Sequence, residues 1–352
     1  MDLSIVGAAG EVARSLATQL LLRDLIGASD RLQFIGLGLE GAERKVLAER
    51  VDLLDAFNET APRIDVSGIP DDVAGDIVVM AAGATVSGRM RTRRDLAMAN
   101  RPVFETFASA LARNGTGREV VVVVTNPVEL GVEIFSRYLE RHRVLGMGAQ
   151  QDSLRFARTI AQDAGVRRDR IHAWVLGEHG EAQVPLWSSV RILEGHVEVG
   201  ERVARLRGPR SAENFPSELD DLRGRVFELL ASERIQEAFD TVEASPPDLR
   251  AAIEPFITAH CLHSTPNATA NATCDVIHAL RSGRDSVVGA QVRLEGEFFD
   301  LRTTFGVPVL VNAGGWSQVV GPTLADDEVQ HLAMAAAAVE ANLTQWTSQN
   351  SP

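Results

Sequence analysis

Five valines follow one another without interruption at positions 120–124. A strand with one face in water alternates apolar and polar residues, so an unbroken apolar run must be covered on both faces. The run Ile77-Val78-Val79-Met80 makes the same demand. Two such strands in one chain point to a parallel sheet with helices packed on either side. The neighbouring pattern agrees with this. Residues 3–6 and 32–35 are short apolar strands, and 64–66 a weak one. Ala13, Leu16, Ala17, Leu20 and Leu21 share one face of a helix that Gly27 would cap. Further helices are expected over 42–57 and up to about 113. Strands alternating with helices in this way give an α/β fold, a Rossmann-type doubly wound parallel sheet, whose ligands sit at the carboxyl ends of the strands.

The second half is less regular and reads as an α+β domain. A helix is expected over 153–164, followed by an apolar and aromatic strand over 171–176. The stretch 195–245 is charged and carries Pro209 and Pro216, with Pro246 and Pro247 just after it. Within it Val226, Phe227, Leu230, Ile235, Ala238, Phe239 and Val242 recur at helical spacing. Antiparallel strands over 286–301 and 307–312 should meet near Gly306, and 326–347 should close the chain as a helix. At 352 residues the chain exceeds what one core usually serves. The expected division is a dinucleotide-binding domain over 1–148 and a substrate domain over 149–352.

Lys and Arg total 35 against 48 Asp and Glu, a net charge of -13. That balance argues against nucleic acid or an anionic membrane as the main partner. The only cysteines, Cys261 and Cys274, show no metal-ligand spacing, and two thiols in a chain of this size suit a reducing cytoplasm. The first strand begins almost at Met1, which leaves no room for a signal peptide.

Three polar stretches fall where strands end. Gly7-Ala8-Ala9-Gly10 follows the first strand and opens a helix, whose free N–H groups and dipole favour a phosphate. A Gly/Ala turn also serves packing alone. Asp152-Ser153-Leu154-Arg155 stands at the expected start of a helix, and residues three apart there share a face. It could equally be a surface ion pair. In Gly177-Glu178-His179-Gly180 a histidine lies between glycines at a strand end, with an exposed ring edge and a backbone open to close approach. Taken alone, it is an ordinary turn histidine.

Together with Thr125-Asn126-Pro127-Val128, Val184-Pro185-Leu186-Trp187-Ser188 and Gly306-Val307-Pro308-Val309, these stretches resemble the lactate/malate dehydrogenase family in order and separation. The likeness is good over 1–190, fair from 286 onward and poor over 195–265, where this chain is longer. The resemblance implies hydride transfer between a nicotinamide cofactor and a small 2-hydroxy or 2-oxo acid. His179 would be the acid/base, with Asp152 holding its other ring nitrogen. Arg155 would bind the substrate C1 carboxylate through a bidentate fork that a lysine cannot reproduce. Arg93, seven residues before Asn100, would polarise the substrate carbonyl. Asn126 would position substrate or nicotinamide. The cofactor would be held by Gly7, Ala9, Gly10, Glu11, Val12, Gly83, Asn100 and Asn126. No metal is implied, and a homodimer or homotetramer is.

Three departures sharpen the expectations. The segment from Gly83 to Arg93 is one residue longer than the family pattern. The position at which malate enzymes carry Arg and lactate enzymes Gln falls at Val86, Ser87 or Gly88, none of which fits. Arg89, or else Arg91, is the expected substitute, and the spare arginines favour a dicarboxylate such as malate over a lactate-like or larger monocarboxylate. Finally, the second strand ends at Gly36-Leu37-Gly38 where an acidic residue would bind the adenosine ribose. With Arg44 and Lys45 following, this favours NADP, NAD being the alternative if Glu40 serves the ribose. A catalytically silent binding subunit is the contrasting reading, opposed by the intact His179, Asp152, Arg155 and Arg93 set.

Overall fold

The computed structural model describes residues 1–36, 42–84, 92–193, 197–262 and 264–348. The expected alternation appears as β1 (Asp2–Val6), α1 (Glu11–Leu22), β2 (Arg31–Ile35), α2 (Ala42–Ala56) and β3 (Arg63–Ser67). It continues through β4 (Ile77–Met80), α3 (Arg93–Asn114), β5 (Val120–Val123), α4 (Val128–Tyr138) and β6 (Val144–Gly146). These six strands are parallel in the order β3-β2-β1-β4-β5-β6. Every residue of β4 and β5 is buried, as their unbroken apolar runs require.

The remainder starts with α5 (Gly148–Ala164), β7 (Ile171–Gly177), β8 (Gln183–Ile192) and α6 (Val197–Arg207). It goes on through α7 (Phe215–Ala231), α8 (Ile235–Glu243), α9 (Pro247–Leu262) and α10 (Pro266–Ser282). β9 (Ser286–Arg293), β10 (Thr304–Asn312), β11 (Gly315–Val319) and α11 (Asp326–Ser348) complete it. β9 and β10 are antiparallel in full register from Thr304↔Arg293 to Val311↔Ser286. The single pair Gly146↔Gln291 joins β6 to β9, and Gly306↔Gly177 joins β10 to β7. Both joints are made at glycine, where two backbones approach closely. One hydrophobic core runs across this continuous sheet, from Leu3 and Ile5 to Val339 and Trp346.

Two local expectations are corrected and a third is resolved in more detail. Helix α5 begins at Gly148, five residues before the expected Ser153, because Gly148 needs no positive φ and Met147 already lies in the αR region. Asp152 therefore sits in the second turn. Helix α1 ends at Leu22, where Asp24 adopts a left-handed φ of 54°, well before Gly27. The stripe from Val226 to Val242 belongs to two helices, broken at Glu233 with φ 57°. α7, α8 and α9 share a small core of their own, including Leu222, Val226, Val242 and Ile253. Helix α9 is tied down by the indole of Trp187, which donates to Asp248 at 3.0 Å, and by buried Arg250, which pairs with Asp163 of α5.

Among the described residues no helix is long and apolar enough to cross a membrane, and no three His, Cys, Asp or Glu side chains group as a metal site would need.

Candidate active site

The carboxyl ends of β1, β4, β5 and β7, with the start of α5, converge on one cleft. At the end of β1 the chain turns at Gly7, with φ +87°, and an added Cβ there would lie 2.5 Å from Ala82 Cα. Only glycine lets the turns after β1 and β4 approach this closely. Gly7 and Ala8 both donate to the Ile35 carbonyl, at 2.8 and 3.2 Å. Gly10 then opens α1 with no side-chain cap, which leaves the first N–H groups of the helix, at Glu11 and Val12, for an anion. Ala9, Gly10 and Glu11 thus stand at an uncapped helix end of the kind that suits an anion, and Val12 faces the cleft. Gly83 does so too, packed so tightly that a Cβ would meet Thr125 at 2.5 Å and Asn100 at 2.7 Å.

Asn100 is fully buried. Its Oδ1 accepts from the Ala84 amide at 2.6 Å, and its Nδ2 donates to the carbonyls of Ala84 and Asn126 at 3.1 and 2.6 Å. These hydrogen bonds brace the loops after β4 and β5. Asn126 itself is exposed at the cleft.

His179 lies just past β7, after Gly177 with φ +92°. Its Nδ1 is 2.7 Å from Asp152 Oδ2, which leaves Nε2 for a reactant. The other carboxylate oxygen of Asp152 accepts from Arg155 Nη1 at 2.8 Å, and Arg155 Nη2 donates to Thr265 Oγ1 at 3.2 Å. The i,i+3 pair is therefore no surface ion pair, since the Asp152 side chain is only 5% exposed. Burial pushes the Asp152 carboxyl up, but the adjoining His179 and Arg155 outweigh it and hold it below the usual carboxylate range. Burial lowers the Arg155 guanidinium against the pull of Asp152.

Arg93 is the first residue of α3, set there by a capping box in which Thr92 and Asp95 exchange backbone and side-chain hydrogen bonds. Its Nη1 donates to the His179 carbonyl at 2.7 Å, and its Nη2 lies 3.1 Å from both Glu129 and Glu178. The two glutamates were not singled out as functional from the sequence. Their signals are an acid directly after Asn126-Pro127-Val128, and the acid inside Gly177-Glu178-His179-Gly180 itself. Arg89 and Arg91, with Val86, Ser87, Gly88 and Glu40, lie outside the described residues.

The cleft encloses about 370 Å³ and is lined by Asp152, Arg155, His179, Arg93 and Asn126. Another part of its lining comes from Leu219 and Arg223 of α7, within the charged stretch 195–245, and from Ile253, Pro255 and Phe256 of α9, just beyond it.

Residues 1–146 match the model of the lactate/malate dehydrogenase NAD binding domain, and residues 150–201 that of the family's alpha/beta C-terminal domain. Together these span more than half of the sequence. The chain belongs to the lactate/malate dehydrogenase family. As a member it is an NAD-dependent 2-hydroxy acid dehydrogenase. It is 28% identical over 340 residues to the malate dehydrogenase of Haloferax volcanii, covering 95% of each chain. It is 26% identical over 332 residues to L-lactate dehydrogenase 1 of Staphylococcus aureus, covering 93% of this chain and 91% of that protein. The crystal structure of Cryptosporidium parvum malate dehydrogenase shares the fold, with a TM-score of 0.77 at 22% identity over 99% of both chains. The C-terminal family model stops at residue 201, inside α6.

Proposed function

We propose that this dehydrogenase interconverts malate and oxaloacetate, with His179, Asp152, Arg155, Arg93 and Asn126 as its working residues. The observation that carries the site assignment is the shared carboxylate of Asp152, one oxygen on His179 and the other on Arg155. It holds an acid/base and a carboxylate receptor side by side at the mouth of a nucleotide-type turn. Bound NAD supplies or accepts the hydride. His179 Nε2 gives its proton to the substrate carbonyl oxygen during reduction and recovers it during oxidation. Asp152 stabilises the protonated ring in between. Arg155 keeps further N–H groups for the C1 carboxylate. Arg93 reaches the carbonyl by leaving its present partners. Asn126, exposed where β5 ends, orients the reacting pair.

Malate is favoured by the relatives named malate dehydrogenase and by Arg223, a cation in the cavity wall that pairs with Glu181 and Asp220 and would turn from them to a second carboxylate. A second reading, a larger apolar 2-oxo acid, is favoured by Ile253, Pro255 and Phe256 in the same wall. NADH oxidation with oxaloacetate, pyruvate, 4-methyl-2-oxopentanoate and phenylpyruvate separates them. The highest kcat/KM is expected with oxaloacetate, and a maximum with phenylpyruvate would move the assignment to the apolar acid.

For the cofactor, NAD is the reading supported by the family model. Gly36 in place of an acid after β2, with exposed Arg44 and Lys45 in the first turn of α2, favours NADP. Comparing kcat/KM for NADH and NADPH in wild type and Arg44→Ala decides the preference. A homodimer or homotetramer in the cytoplasm fits this reading, and light scattering gives the mass.

A further inference from the structure

Arg93 does not reach freely into the cleft. Its guanidinium is gripped by three acceptors: the His179 carbonyl, Glu129 and Glu178. Both carboxylates are almost wholly buried, at 1% and 3% exposure of their side chains. Each also braces the catalytic tip with its second oxygen. Glu129 Oε1 accepts from the His179 amide at 2.6 Å, and Glu178 Oε2 accepts from the Ala182 amide at 3.0 Å. The Nε of Arg93 is buried without a partner, so the grip leaves one donor unused.

We propose that Glu129 and Glu178 form a proton-accepting latch that holds Arg93 in the absence of substrate and takes up one proton when Arg93 leaves for the substrate carbonyl. The inference rests on the reading of Arg93 as the carbonyl-polarising group. With Arg93 in place, one positive charge sits between two negative ones. Once Arg93 has moved, two carboxylates within reach of a single nitrogen position face each other in a dry site, and like charges there cannot both persist. The groups facing Glu129 are Arg93 from α3, Glu178 and His179 from the end of β7, and Asp152 from α5 behind His179. Burial already raises the Glu129 carboxyl, opposed by Arg93 and reinforced by Glu178, so Glu129 is the acceptor. Glu129 acts on the reaction through Arg93 and the His179 amide and is a positioning residue. The glycine at 180 belongs to the same device, since a Cβ there would collide with the Arg93 guanidinium.

The test uses the full-length enzyme as its NADH complex, titrated calorimetrically with oxamate, an unreactive 2-oxo acid analogue, in buffers of different ionisation enthalpy. Glu129→Gln keeps an acceptor for the His179 amide and removes the titration. Wild type should take up close to one proton more than Glu129→Gln. Any proton change at the His179–Asp152 pair is common to both enzymes, so the difference isolates the latch. In steady state, the KM for the 2-oxo acid should climb with pH more steeply in wild type than in Glu129→Gln, the two slopes differing by up to about tenfold per pH unit. Should Glu129→Gln fail to fold, Glu178→Gln removes the same charge repulsion and should show the same loss of proton uptake. Equal proton counts and parallel pH slopes in two enzymes that both turn over would overturn the latch alone. A wild type that reduces no 2-oxo acid would overturn the functional reading, and the latch with it.

Discussion

His179 Nδ1 and Asp152 Oδ2 stand 2.7 Å apart although 27 residues separate them in the chain. The distance arises because α5 packs directly against β7, which brings the second turn of one to the end of the other. His179→Ala should lower kcat by about 10²–10⁴-fold, the usual loss of a positioned general acid/base. NADH binding, followed by nicotinamide fluorescence, should be nearly unchanged. A His179→Ala enzyme with wild-type kcat would place the chemistry elsewhere.

Asp152 also carries stability. Its carboxyl is held below the usual range in the folded state, so its contribution is present above the unfolded carboxylate value and disappears as pH falls through the folded one. Asp152→Ala leaves Arg155 and His179 facing a buried gap and should cost about 3–5 kcal/mol, the usual result of removing one partner of a buried pair. Denaturant unfolding at neutral pH reads this. Asp152→Asn should instead keep most of the stability and lose turnover, with a changed pH profile.

Gly148 offers a test of spacing without charge. A Cβ at this position would lie 2.3 Å from His179 Cβ and 2.4 Å from its Cγ, and the backbone there needs no positive φ. Gly148→Ala should therefore displace the imidazole from its working position. A shift of about 1 Å in a reacting group can cost on the order of 10²-fold in rate. The expected signature is a large fall in kcat, with KM for NADH little altered.

His331 of α11 lies far from this chemistry and should dominate part of the acid stability profile. It is buried beside the Phe215 ring, its Nδ1 has no partner, and burial pushes its pKa down to about 4 from the ordinary 6.5. Below 6.5 the unfolded chain takes up a proton that the folded chain refuses. Stability from this site is therefore complete above 6.5 and falls as pH drops toward 4, by an amount on the order of 1–3 kcal/mol. Chemical denaturation at pH 7.5 and pH 4.5 should show this loss in wild type and a smaller one in His331→Leu.

The segment over 197–262 should behave as folded structure and as part of the cleft. Val226 is fully buried in the core shared by α7, α8 and α9, and Val226→Ala should cost about 1–2 kcal/mol in unfolding experiments. Phe256→Ala should alter the ranking of 2-oxo acids by size while leaving NADH affinity close to wild type.

The sequence by itself determined the features that repeat over short distances. The valine run required a sheet covered on both faces, the glycine turn required close approach of backbones, and Asp152, Arg155 and His179 stood in an order that only a few arrangements of strands can bring together. Tertiary structure decided what depends on distant contacts. It started α5 five residues early, split the stripe of 226–242 into two helices, and turned Asn100 inward to brace two loops. It also placed α7 and α9 as a wall of the cleft and set Arg93 between two buried glutamates from different elements. The sequence showed helical spacing in the 195–245 stretch but not these contacts, because periodicity reports which face of an element is buried but not which other element covers it. The partners of Arg93 stand 36 and 85 positions away along the chain, and only the packing of α3, α4 and the end of β7 makes them neighbours.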